Sequence, residues 1–247
     1  MKKFSLLLSL VVILGSCAKK DASLLINTHI QDLKKGTVYL QKVQDTALIT
    51  LDSVVVNGQS SFTLQADIDE PEVLYIYLDK VDNSTFDDRI ILFAEPGEMT
   101  VNTTLENFET AVVVEGSENH LKLLEFREMM DRFNSQNLDL LKESIEAQQV
   151  GDTQKADEAN NRLEGLLRRR YLFTVNYALN NKEHEVAPYL AVSEVFDANL
   201  KYLDTIYNSL EPPIKESIYG KTLQQLIEER RTLDDELRVN QAVDSTT

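Results

Sequence analysis

Apolar and polar positions follow two different periods along this chain, and the period changes near residue 116. From Ala22 to Glu115, short runs rich in Val, Ile, Leu, Tyr and Thr cover 24–30, 37–43, 48–56, 61–68, 73–78, 89–93, 99–103 and 111–115. β-branched and aromatic residues suit a pleated, half-buried surface, so these runs predict strands. Turn signals separate them. Asn57-Gly58 tolerates the positive φ of a tight hairpin, and in Glu95-Pro96-Gly97 the proline presets φ ahead of a permissive glycine. Strands of this length between such turns predict an antiparallel β-sandwich or barrel-like sheet over residues 22–116.

Beyond Gly116-Ser117 the spacing becomes helical. Ser117 is placed to cap a helix, and Glu118 meets the helix dipole in its first turn. Leu123, Phe126, Met130, Phe133, Leu140 and Ile145 fall near one stripe, and Ala156, Ala159, Leu163, Leu166, Phe173 and Tyr177 form a second. Two long amphipathic helices joined at 150–153 would bury these stripes against each other as an antiparallel hairpin. Shorter helices are expected over 186–196, 200–210 and 214–219, punctuated by Pro188 and Pro212-Pro213, with a polar helix over 222–239. The tail, 240–247, offers little to pack and is expected to be disordered. The fold class is α+β, with a sandwich domain at 22–116 and a helical domain at 117–239.

The first 21 residues belong to neither pattern. Lys2 and Lys3 precede an apolar run, Phe4 to Leu14, which ends in Leu14-Gly15-Ser16-Cys17. That run is too short for a bilayer, which needs about 20 residues, and has the form of a secretory signal. Small residues before Cys17 admit a signal peptidase, and the thiol supplies the nucleophile for a diacylglyceryl group. Residues 1–16 therefore read as a lipoprotein signal peptide, Cys17 as the lipidation site and 17–21 as the lipidated N-terminus and linker. Several acyl chains anchor durably where one holds only marginally. Ala18 lacks the aspartate of inner-membrane retention, and Lys19-Lys20-Asp21 is not an acid-rich start. The expected location is the outer membrane, with the periplasmic face favoured and surface exposure the alternative.

Charge narrows the partners. Removing residues 1–16 takes away Lys2 and Lys3 and no acid, so 25 basic residues become 23 against 41 acidic, and the net charge falls from −16 to −18. Such a body does not suit nucleic acid, whose binding depends on Lys and Arg at phosphates. With Cys17 acylated, no thiol is left for a disulfide or thiolate metal site.

The chemistry-bearing residues are sparse. Asp67, Asp69 and Glu70, and the loop with Asp79, Asp82, Asn83, Asp87 and Asp88, lack the spacing of a calcium loop and read as solvated charge. His29, His120 and His184 stand far apart without ligand spacing, and read as surface or helix-cap histidines. Arg168-Arg169-Arg170 points in three directions on a helix and is expected to pair with neighbouring acids. No metal, cofactor or catalytic set is expected. Asp52-Ser53 stands before a hairpin signal and Glu95 within another, where the needs of backbone reversal account for them; as acids near loop ends they are also the candidate binding-loop residues.

Gly36-Thr37-Val38-Tyr39-Leu40, Leu51-Asp52-Ser53-Val54, Asn57-Gly58, Phe62, Pro71-Glu72, Glu95-Pro96-Gly97 and Gly116-Ser117, in that order, resemble a Bacteroidota lipoprotein domain of unknown function, DUF4369. The resemblance covers about residues 22–120. It implies a lipobox before the domain and, after it, a helical segment leading to a thioredoxin-like domain. Tyr219-Gly220-Lys221 is similar to the end of that helical segment. No CxxC is present in these 247 residues, so redox activity does not carry over. The expected function is a non-enzymatic envelope lipoprotein that acts as a binding or scaffold module for an envelope protein or glycan. The alternative is an accessory to a periplasmic thiol-redox or folding system.

Overall fold

The computed structural model describes residues 22–44, 46–80 and 88–244, with side chains described as far as residue 236. Cys17 and the signal segment lie outside the described residues, as do Asp82, Asn83 and Asp87. The elements are β1 (Leu24–Gln31), β2 (Lys35–Gln44), β3 (Ala47–Asn57), β4 (Ser61–Ala66), β5 (Glu72–Lys80), β6 (Asp88–Ala94), β7 (Gly97–Thr104), β8 (Val113–Glu115), α1 (Glu118–Gln149), α2 (Thr153–Asn180), α3 (Val186–Glu194), α4 (Leu200–Ser209), α5 (Pro212–Lys215) and α6 (Ile218–Asp244). The α+β class follows directly from this order.

Two four-stranded sheets lie face to face, one ordered β4-β1-β7-β8 and the other β3-β2-β5-β6. Alternation does the sorting. In β1, Leu24, Ile26, Thr28 and Ile30 are buried while Leu25, Asn27, His29 and Gln31 face out. The inward set packs with Val38, Leu40, Leu64, Leu74, Ile76, Leu92, Met99 and Val101 from both sheets. Each such side chain contributes roughly 1.5–3 kcal/mol on full burial.

The sheets are not wholly antiparallel as expected. β1 and β7 pair in parallel, from Leu24 opposite Gly97 to Gln31 opposite Thr104. Nor are the two strongest turn signals hairpins. Asn57-Gly58 leads from β3 in one sheet to β4 in the other, and Glu95-Pro96 leads from β6 to β7, again between sheets. Gly58 takes φ +97° there and its N–H donates to the Lys34 carbonyl at 2.8 Å, whereas Asn57 keeps negative φ. A hairpin of the expected type would need positive φ at both residues.

The helices cover the outer face of β5 and β6. Val73, Phe93, Leu123, Phe126, Met130, Val186 and Leu190 form a second buried cluster in this seam, with Tyr75, Phe173, Tyr177, Tyr189 and Tyr219 packed around it. Phe93 meets the rings of Tyr189 and Tyr219 edge-on, at 5.4 and 5.6 Å between centroids. A third cluster joins α2, α3, α4 and α6 through Val175, Ala191, Leu203, Ile206 and Leu223.

The α1–α2 hairpin is the longest feature. Its seam contacts on α1 run from Leu123 to Phe133, and beyond them Leu140, Ser144 and Ala147 are buried towards α2. Ile145, expected in that stripe, is instead 46% exposed. The expected helices 214–219 and 222–239 are replaced by the short α5 and by an α6 that begins at Ile218 and continues to Asp244, into the tail expected to be disordered.

Candidate functional site

Asp52 and Glu95, the two acids singled out at turns, lie on opposite edges of the β3-β2-β5-β6 sheet and are not brought together. Asp52 stands at a bulge in β3. Its Oδ1 accepts from the Ser53 N–H and its Oδ2 from the Gln65 N–H, both at 2.8 Å, so the carboxylate ties the edge of one sheet to the edge of the other. Glu95 follows β6 and reaches the first turn of α1. Its Oε1 accepts from the Ser117 hydroxyl at 3.0 Å, the Asn119 N–H at 2.7 Å and the Asn119 side-chain amide at 3.0 Å. A carboxylate at a helix N-terminus satisfies free N–H groups and opposes the helix dipole favourably.

Asn119 carries this connection into α3. Its amide also donates to Glu185 Oε2 at 2.8 Å, and its Oδ1 accepts from the Val186 N–H at 2.8 Å. Ser117 caps α1 as expected, accepting from the His120 N–H at 2.9 Å. Gly116 precedes it at φ +95°, where a Cβ would strike the Glu98 carbonyl.

His120 is not a surface or cap residue, which corrects the expectation for one of the three histidines. It is 2% exposed, and its Nδ1 accepts from the Phe93 N–H at 3.2 Å. That bond places the proton on Nε2, which is buried without a partner among the described residues. Burial first, and the Arg127 charge second, hold its pKa down at about 4. His29 Nδ1 is 2.8 Å from the Ser61 hydroxyl on the outer sheet face, and His184 Nε2 is 3.7 Å from Glu118. The three histidines therefore serve separate places.

Two tyrosines are also tied into the seam. Tyr219 accepts from the Val73 N–H at 2.8 Å, and Tyr177 donates to the Lys122 carbonyl at 2.7 Å. Burial is the main force pushing both hydroxyls well above the ordinary tyrosine range. Glu70 accepts from the Ile218 N–H at 2.8 Å and thereby caps α6, and Asp88 pairs with Lys80 at 2.7 Å. Among the described residues, no group of three or more His, Cys, Asp and Glu is placed to hold a metal ion.

A concave site lies beside the seam. Between α1, α2 and α3 lies a cleft of about 350 Å³, floored by Leu123, Phe126 and Met130 and walled by Arg127, Asp131, Asn134, Arg170, Tyr189 and Glu194. Arg170 lies 3.4 Å from Glu194, so of the basic run expected to pair with acids it alone has an ion pair among the described residues. Arg127 forms no hydrogen bond and no ion pair with any described residue. It was not singled out in the sequence, although it stands in helical register with Asp131, Asn134, Leu138, Leu141 and Ile145. That register was the available signal. These three apolar residues are 67%, 44% and 46% exposed, and they continue the line of the cleft along the hairpin.

Residues 24–123 match the family model described as a domain of unknown function, DUF4369. The match takes in both sheets and the opening of α1, so the Glu95–Ser117–Asn119 connection falls within it. No curated protein matches the chain.

Proposed function

We propose that this chain is a lipid-anchored protein of the cell envelope that works as a binding or scaffold module rather than as an enzyme. The Cys17 lipobox and the resemblance to a lipoprotein domain support the anchor. On this reading the outer membrane holds the protein by its acyl chains, on the periplasmic face, and its acidic body stays in water. No described helix is long and apolar enough to cross a membrane.

The observation that carries the binding role is how the unusual side chains are engaged. His120, Tyr177, Tyr219, Glu95 and Asp52 all make internal hydrogen bonds that hold strands and helices together. A catalytic acid, base or nucleophile has to reach a substrate atom. The apolar face at Leu138, Leu141 and Ile145 is left 67%, 44% and 46% exposed, with the cleft at its foot. An envelope protein or glycan is the partner class proposed.

Crosslinking in intact cells, followed by capture from a detergent extract, tests this. A reproducible partner lost in the Leu138→Gln, Leu141→Gln, Ile145→Gln variant supports the module. Turnover of a thiol, ester, phosphate or glycoside substrate, abolished by one point mutation, would overturn it. Intact-mass analysis of membrane-extracted protein tests the anchor, which fails if Met1 is retained and Cys17 carries a free thiol.

A further inference from the structure

We infer that the cleft between α1, α2 and α3 binds a long-chain carboxylate, with its head at Arg127 and its apolar tail along Leu138, Leu141 and Ile145. This goes beyond the protein or glycan partner proposed above and rests on the reading of the hairpin face as a binding surface.

The head group follows from charge. A half-buried guanidinium without a carboxylate partner has lost part of its hydration without a compensating ion pair. Its planar fork suits a carboxylate, which it can hold through two parallel hydrogen bonds. The cleft lining contains two cations, Arg127 and Arg170, and two acids, Asp131 and Glu194. A monoanion therefore leaves one excess negative charge there, whereas a phosphate dianion leaves two within an already acidic body. Helical side chains lean towards the N-terminus, which aims Arg127 at the inner end of the cleft. Tyr189 of α3 lines the same cleft.

The tail follows from register. Arg127, Asp131, Asn134, Leu138, Leu141 and Ile145 follow steps of four and three, so they form one line on α1. Leu138 lies about 16 Å along the helix from Arg127, at about 1.5 Å per residue. A short acid would fill the cleft without reaching the exposed leucines. A longer one covers them and removes apolar surface from water.

The test is calorimetric titration of the full lipoprotein in nanodiscs, with empty nanodiscs subtracting partition into the bilayer. The probes are dodecanoate, dodecylamine and butanoate. Dodecanoate is expected to bind saturably, dodecylamine to give no saturable heat, and butanoate to bind at least tenfold more weakly. Arg127→Gln should weaken dodecanoate about tenfold or more, as loss of a charged hydrogen-bonding anchor does. Leu138→Gln, at the near end of the stripe and 67% exposed, leaves folding intact, and it should weaken dodecanoate but not butanoate. No saturable dodecanoate binding, equal binding of the amine, or an unchanged Arg127→Gln would overturn the inference. So would concentration-dependent dimerisation abolished by Leu141→Gln, since a second copy would then cover the stripe. A failed titration leaves the partner-capture experiment unaffected, so the two readings fail separately.

Discussion

Asn119 connects three elements with one buried side chain, donating to Glu95 and Glu185 and accepting from Val186. Asn119→Ala leaves the Val186 N–H without its partner and deprives both carboxylates of a donor. A loss of about 2–4 kcal/mol is expected, since stranded buried polar groups cost more than an average hydrogen bond contributes. Urea unfolding followed by circular dichroism measures it. His120 gives a pH signature. Its folded pKa, about 4, lies below the ordinary 6.5, so the unfolded chain binds the proton more readily between those values. Its stabilisation is complete above about pH 6.5 and is lost as pH falls towards 4, by up to about 3 kcal/mol. A protonated ring would also set an Nδ1–H against the Phe93 N–H. His120→Gln should flatten this part of the stability profile while carboxylate titration continues in both proteins. An unchanged slope would contradict the assignment. Gly220 gives a third prediction. Alanine normally improves a helix by about 1 kcal/mol over glycine. Here a Cβ would run into the Ile214 and Lys215 carbonyls, so Gly220→Ala should destabilise by more than 2 kcal/mol in the same unfolding experiment.

At the scale of elements, strand alternation and the Gly116-Ser117 break were legible because they are local. β1 alternates residue by residue in the sequence and in its burial, and Ser117 caps α1 through a bond within its own turn. What escaped was long-range. Positive φ at Gly58 is needed whether a chain returns within its sheet or turns into the facing one, so the turn signal does not distinguish them. Parallel pairing of β1 with β7 depends on strands far apart in sequence. The cleft was hidden for the same reason: Arg127 and Tyr189 come together only after α3 docks on α1. By contrast, Ile145 was placed in the buried stripe and is exposed, and Leu138 and Leu141 were not singled out, because a stripe does not reveal which residues a partner helix covers. If this face has no structural role, the Leu138→Gln, Leu141→Gln, Ile145→Gln variant should keep its thermal midpoint, each substitution shifting stability by no more than about 0.5 kcal/mol.

Over the whole molecule, the sandwich and the helices share the Phe93 seam and the Asn119 connection, so the hairpin projects from a braced base. The chain holds 41 acidic residues against 25 basic ones, which disfavours polyanions as partners.

The most direct test is a photo-crosslinking side chain placed at Leu141 on the hairpin face or, as a control, at Val55, which is 72% exposed on β3. Crosslinked in intact cells and read by mass, position 141 should give one dominant adduct that position 55 does not. Equal adducts at both positions, or none at 141, would contradict the assignment of the hairpin face as the binding surface.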